Sequence, residues 1–136
     1  MKPTATPIKG YEALVQFLHF NDQGLMPTVI QDEVSKQVLT LCYLNKEALK
    51  KSFETGTVYL FRRSQQKLMQ KGEKSGHIQL IKQVLIDCDG KSMVVLIQQH
   101  VAACHAGYFT CYFRRLSKDG AVETVGERVF DPAKVY

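Results

Sequence analysis

An α+β fold, built on a mostly antiparallel or mixed β-sheet with two short helices, follows from three features of the sequence. Short segments rich in Val, Ile, Thr, Tyr and Phe recur between polar turns. Only two stretches space their apolar residues at helical intervals, one from Tyr11 and one after Asn45. The 136 residues suffice for one domain with a core of its own, and no repeat or linker divides them. The single domain is expected over 1–136, with its core over about 25–116, an arm and helix over 1–24, and a tail over 117–136.

Each element has a local reason. Residues 1–10, with Pro3 and Pro7, read as an irregular arm. Tyr11, Leu14, Val15 and Leu18 then predict an amphipathic helix to about His19, broken by Asn21-Asp22-Gln23-Gly24. A hairpin follows, with strands over 28–31 and 38–43 around a polar turn at 33–36. Asn45 is a good N-cap, Leu49 and Phe53 share a helical face, and Gly56 ends the second helix. Residues 57–61 read as a strand leading into Arg62-Arg63-Ser64, and the polar stretch 65–76 as a loop. Further strands are expected over 78–86, 93–98 and 108–116, with a turn at Asp119-Gly120.

Bulk composition narrows the function classes. No apolar run approaches the length of a membrane span, and the first ten residues lack a secretory hydrophobic stretch, so the cytoplasm is the expected compartment. Thiols stay reduced there, and four cysteines argue for metal or chemistry before disulfides. A formal charge of +5 favours an anionic partner.

The reactive side chains concentrate in residues 87–111, DCDGKSMVVLIQQHVAACHAGYFTC. Asp87-Cys88-Asp89-Gly90 lies between two apolar runs, and Asp89-Gly90 suits the positive φ angles of a tight primed turn. Two antiparallel strands would carry Cys104 back towards Cys88. Thiolates of Cys88, Cys104 and Cys111 are soft, charged donors for zinc, and three of them leave one tetrahedral position for water. Asp87 and Asp89 alternate about Cys88. On an extended strand their carboxylates share one face, suited to a hard cation such as magnesium, while the thiol takes the other. The competing reading makes the cysteines small buried hydrophobes and the aspartates ordinary turn acids.

The Asp87-Cys88-Asp89 turn and the C-H-x-G-x-x-[ST]-C segment from Cys104 to Cys111 resemble the phosphoribosyl-AMP cyclohydrolase family of histidine biosynthesis. The likeness extends in one register through Gln31-Asp32, Leu41-Cys42-Tyr43-Leu44-Asn45 and Lys71-Gly72-Glu73-Lys74-Ser75-Gly76. It implies an intertwined homodimer in which Cys88 of one subunit joins Cys104 and Cys111 of the other around zinc. It also implies hydrolytic opening of the adenine ring of phosphoribosyl-AMP between N1 and C6. Zinc brings the pKa of a coordinated water from 15.7 towards about 7. Three thiolates leave a net negative centre that blunts this effect, so a general base is expected nearby. His105, beside Cys104, is the catalytic candidate, since imidazole titrates near neutral pH. His77, where the family has asparagine, is the second candidate, and His19 and His100 read as structural.

Departures from the family cluster on the substrate side. Its third aspartate is Lys91 here, which puts magnesium in doubt and assigns the Lys91 ammonium to substrate phosphate instead. Its Ser-Arg-Ser-Arg is Arg62-Arg63-Ser64-Gln65, its next tryptophan is Met69, and its Thr-Ser-Gly is Lys74-Ser75-Gly76. Its Gly-Pro is Val101-Ala102, and the threonine after the histidine is Ala106. Arg62, Arg63, Ser64, Lys71, Lys74, Ser75 and Lys91 are therefore the candidate substrate-binding residues, a basic surface for phosphates. The alternatives are a related zinc hydrolase for another purine-like nucleotide and a non-catalytic zinc-binding dimer in which His105 closes the site. Nucleic-acid binding through Arg62, Arg63, Lys67, Lys71 and Lys74 ranks below these, because Tyr59 and Phe61 read as strand core.

Overall fold

The computed structural model describes residues 4–136, so Pro3 lies outside the described residues. From Thr4 to Gly10 the chain has neither helix nor strand, and the Ile8 N–H donates to the Phe53 carbonyl at 2.7 Å. Helix α1, Tyr11–Val15, stops short of the expected end near His19. Beyond it Leu18 turns into the core, and the His19 N–H donates to the Gly90 carbonyl at 2.8 Å. That bond draws the backbone onto a distant turn instead of extending the helix.

Strands β1, Met26–Asp32, and β2, Val38–Leu44, form the expected hairpin. Its turn is tied by the Asp32 carboxylate, which accepts from the N–H and the hydroxyl of Ser35, each at 2.8 Å. Helix α2, Lys46–Thr55, starts where Asn45 Oδ1 accepts from the Ala48 N–H at 2.8 Å, and it ends at Gly56. Its Leu49 and Phe53 line an apolar interior with Ile30, Ile81, Val84 and Val95. Ser52 Oγ accepts from the Tyr59 N–H and donates to the Ala48 carbonyl, each at 2.8 Å, which fixes the next strand against the helix.

That strand, β3, Tyr59–Arg62, pairs antiparallel with β4, Lys67–Gln70. The expectation of loop over 65–76 is corrected there. Pairing gives these polar-flanked residues backbone partners, and Leu68 and Met69 pack against the core.

Strands β5, Gln79–Ile86, and β6, Met93–Gln99, complete a mixed sheet ordered β2-β1-β6-β5, in which only β1 and β6 are parallel. The sheet therefore has two distinct ends. Met26, Leu44, Ile86 and Met93 mark the first, and Asp32, Val38, Gln79 and Gln99 the second. Its inner face, with Met26, Ile30, Leu44, Met93 and Ile97 fully enclosed, packs under α2. The outer face leaves Leu41 and Leu85 about half exposed, at 47% and 49%.

The turn between β5 and β6 is wider than the predicted two-residue reversal. Asp87 N–H donates to the Ser92 carbonyl at 3.1 Å, Gly90 N–H donates to the Asp87 carbonyl at 3.2 Å, and only Gly90 has a positive φ, of 71°. A side chain at Gly90 would run into the Phe17 carbonyl, so the close approach of the α1 segment requires glycine.

The strand expected over 108–116 shrinks to β7, Arg114–Leu116, paired with β8, Val122–Thr124, around Asp119-Gly120. Before it, backbone groups of 103–111 bond to one another, to Leu39 and to Val129, which leaves only an isolated bridge from Tyr108 to Arg128 in place of a ladder. A 3₁₀ turn, Pro132–Lys134, follows. Among the described residues no helix is long and apolar enough to cross a membrane.

Candidate functional site

Residues 100–111 build one half of the candidate site at the second end of the sheet. Ala103 N–H donates to the Phe109 carbonyl at 2.9 Å, and Cys104 N–H to the Tyr108 carbonyl at 3.2 Å, folding the stretch into a closed loop. Cys111 N–H donates to the Leu39 carbonyl at 2.8 Å, and the Thr110 hydroxyl to the Val38 carbonyl at 2.7 Å, anchoring that loop on the start of β2. The Cys104 and Cys111 thiols are thereby placed side by side. The Ala106 N–H points at Cys104 Sγ at 3.3 Å, an arrangement that stabilises a thiolate. Val101 enters the loop in the left-handed region at φ 66°, a conformation that favours glycine.

Burial is the largest influence on the Cys111 thiol and raises its pKa. The Thr40 hydroxyl and the Lys71 ammonium oppose that rise, and Cys104 adds to it. Cys42, buried on the inner face of β2, is pushed up to about 12 by burial, as befits a core thiol. His105 projects to solvent beside the buried Cys104.

Cys88 is elsewhere. It is exposed on the β5–β6 turn at the first end of the sheet, and β6 then runs away from it before the chain reaches Cys104. Seven residues of strand span roughly 20 Å. The expected return of Cys104 to Cys88 within one chain is thus corrected, because the strand that leaves the turn ends at the opposite edge of the molecule. Among the described residues of one chain no three His, Cys, Asp or Glu side chains are grouped to hold a metal ion.

The aspartate pair also departs from expectation. Asp87 and Asp89 lie in the turn, not on an extended strand, so the one-face alternation does not form. Asp87 Oδ1 accepts from the Lys91 N–H at 2.9 Å and Oδ2 from the Ser92 hydroxyl at 2.6 Å. The Ser92 hydroxyl, then the Lys91 N–H, hold its carboxyl down at about 2. This is the work of a turn acid.

The basic residues divide between the two ends. Arg63 lays its guanidinium over the Tyr43 ring, 3.8 Å from the centroid, and Arg62 Nε donates to Met69 Sδ at 2.9 Å. With Ser64 they form the tip of the β3–β4 hairpin, next to a cavity of about 330 Å³ lined by Gln23, Leu25, Asn45, Phe61, Arg63 and Gln66. Lys91 sits on the Cys88 turn. Lys71, Lys74 and Ser75 lie beyond β4, at the Cys104 end. Lys71 Nζ donates to the Ala103 carbonyl at 3.0 Å, Ser75 Oγ accepts from the His77 N–H at 3.2 Å, and Lys74 is exposed.

Two features escaped the sequence reading. His77 is buried, with no hydrogen-bond partner for Nδ1 among the described residues, against Phe130 at 4.7 Å and His100 at 6.3 Å between ring centroids. Burial, then His100, lowers its pKa, which suits a neutral packed imidazole. The C-terminal segment also straps the thiol loop: Val129 N–H donates to the Gly107 carbonyl at 2.7 Å, and a side chain at Gly107, φ 101°, would meet the Phe130 carbonyl at 2.7 Å. Neither carries a local motif.

Two adjacent thiols with an N–H donor fit part of a zinc thiolate set, and no third metal-ligating side chain is grouped with them among the described residues. The aspartate turn fits magnesium poorly, since both Asp87 oxygens are engaged and an ammonium stands at Lys91.

A family model described as phosphoribosyl-AMP cyclohydrolase matches residues 40–113, which include Cys88, Cys104 and Cys111. A phosphoribosyl-AMP cyclohydrolase of Pelotomaculum thermopropionicum is 45% identical over 119 residues, covering 88% of this chain and 92% of the relative. One from Methanosarcina barkeri is 45% identical over 131 residues, 96% of this chain and 95% of the relative. A bifunctional histidine biosynthesis protein of Thermoanaerobacter pseudethanolicus matches at 46% over 125 residues, 92% of this chain and 57% of its own length. The chain with its two thiols at one end of the sheet and its third at the other belongs to the phosphoribosyl-AMP cyclohydrolase family.

Proposed function

We propose that the chain hydrolyses the N1–C6 bond of the adenine ring of phosphoribosyl-AMP in histidine biosynthesis, as a homodimer with zinc at each of two shared sites. Cys104 and Cys111 of one subunit and Cys88 of the other hold the ion, which when bound supplies an activated water and polarises the reacting carbon. What supports the shared site is the separation of Cys88 from the other two thiols by the full length of β6. The half-exposed Leu41 and Leu85 on the outer face of the sheet give a second copy apolar surface to cover.

His105 is exposed beside Cys104 and free to take a proton from the attacking water. Arg62, Arg63 and Ser64 at the hairpin tip bind phosphate. The Tyr43 ring beneath the Arg63 guanidinium restricts that side chain, which favours a fixed phosphate contact. Lys91 shares the turn of Cys88, and in a shared site it would reach the same substrate as Lys74 and Ser75 of the other subunit. No step is assigned to magnesium, and Asp87 holds the turn that presents Cys88.

The test is turnover of phosphoribosyl-AMP by zinc-loaded protein, with Cys104→Ser as the blank and with and without magnesium. Turnover that the blank loses, and that added magnesium leaves unchanged, is expected. Absence of turnover from a folded, zinc-loaded dimer overturns the assignment and favours another purine-like nucleotide as substrate.

A further inference from the structure

Lys71 stands out as a half-buried cation with no carboxylate partner among the described residues. The ion pair found among the described residues joins Arg115 to Glu123, on the surface and far along the chain. Lys71 Nζ instead donates to the Ala103 carbonyl at 3.0 Å, on the residue that precedes Cys104. Ala103 opens the closed loop that carries Cys104 and Cys111, so the ammonium is tied to the segment that presents the thiol pair. A half-buried ammonium is costly unless negative charge faces it, and a thiolate pair holding zinc on this loop would supply such charge.

We propose that Lys71 is a positioning residue of the thiolate centre, its fixed charge balancing the cysteine pair, and is not a ligand of substrate phosphate. The inference rests on the zinc reading of Cys104 and Cys111, and it answers a difficulty in that reading. Three thiolates around a divalent ion leave one excess negative charge, which works against activation of water. One ammonium held beside them by Ala103 cancels that excess, and it does so without occupying a coordination position.

Substitutions at Lys71 separate charge from hydrogen bonding. Lys71→Gln keeps a donor for the Ala103 carbonyl and removes the charge, whereas Lys71→Arg keeps both. The readout is zinc affinity of the full-length protein, by competition with a chromophoric chelator, alongside KM and kcat. Lys71→Gln should weaken zinc binding about tenfold or more, the usual effect of losing an outer partner of a metal ligand, while KM changes little. Lys71→Arg should restore most of that affinity. Wild-type affinity in Lys71→Gln, with a raised KM, would return the residue to substrate binding and overturn the proposal. Equal weakening by Gln and Arg would also overturn it, since the amine's geometry and not its charge would then matter. Should Lys71→Gln fail to fold when metal-free, Lys71→Met, which fills the same apolar path, takes its place. The Cys104→Ser protein distinguishes the two levels of argument: if it binds zinc as tightly as wild type, the zinc reading itself fails, whatever Lys71 does.

Discussion

Mixing two inactive proteins should create an active one. Cys88→Ser disables the first end of each subunit and Cys104→Ser the second, so each pure homodimer lacks a complete site. In a mixed dimer the intact Cys104–Cys111 end of one subunit meets the intact Cys88 of the other, while the second site carries both defects. Each mixed dimer has one good site of two, so the isolated mixed species should reach about half of wild-type turnover per subunit. The structure supplies an internal control. Cys104 and Cys111 lie side by side at one end, so a mixture of Cys104→Ser with Cys111→Ser should recover nothing. The assay is turnover of zinc-loaded protein after co-expression with two tags and isolation of the mixed species. No recovery from the first mixture, with mixed dimers demonstrably present, would refute the shared site. Recovery from the second mixture would refute the pairing of thiols at one end.

Two further outcomes follow from the turn that carries Cys88. Gly90→Ala should lower stability by about 1–3 kcal/mol, because the new methyl group meets the Phe17 backbone at a φ of 71°, and urea unfolding with an unchanged midpoint would contradict this. Asp87 gives a pH signature. Its folded pKa, about 2, lies below the value of about 3.9 for a free carboxyl, so its contribution is present above pH ~4 and drains away as pH falls towards 2. The gap in unfolding midpoint between wild type and Asp87→Asn should therefore narrow from pH 6 to pH 2.5, and a constant gap would remove Asp87 as the anchor of the turn.

What could be read from the chain in advance was whatever a few neighbouring residues decide. Asn45 capping and the Leu49–Phe53 face placed α2, and segments rich in β-branched and aliphatic residues between polar turns placed β1, β2, β5 and β6. Distant partners decided the rest. Helix α1 ends early because His19 bonds to Gly90, and 108–113 leaves the extended state because its neighbours fold back on Ala103, Cys104 and Leu39. Strand β4 has too few apolar residues to announce itself and exists because β3 offers it a ladder. For the site, residue types and spacing nominated the three thiols, but only the parallel pairing of β1 with β6 fixes which end of the sheet each occupies. Lys71 was legible as a cation, but its bond to the Ala103 carbonyl was not, since Ala103 is 32 residues away.

Val101 carries a different implication. A β-branched residue at φ 66° stands in a conformation that costs an L-residue roughly 1–2 kcal/mol, and Asn tolerates it better. A single exchange at that position would relax the backbone without touching a thiol or a basic group. The chain thus holds an unused reserve of stability beside its most constrained loop, and that reserve is available to offset a destabilising change of specificity on the substrate side.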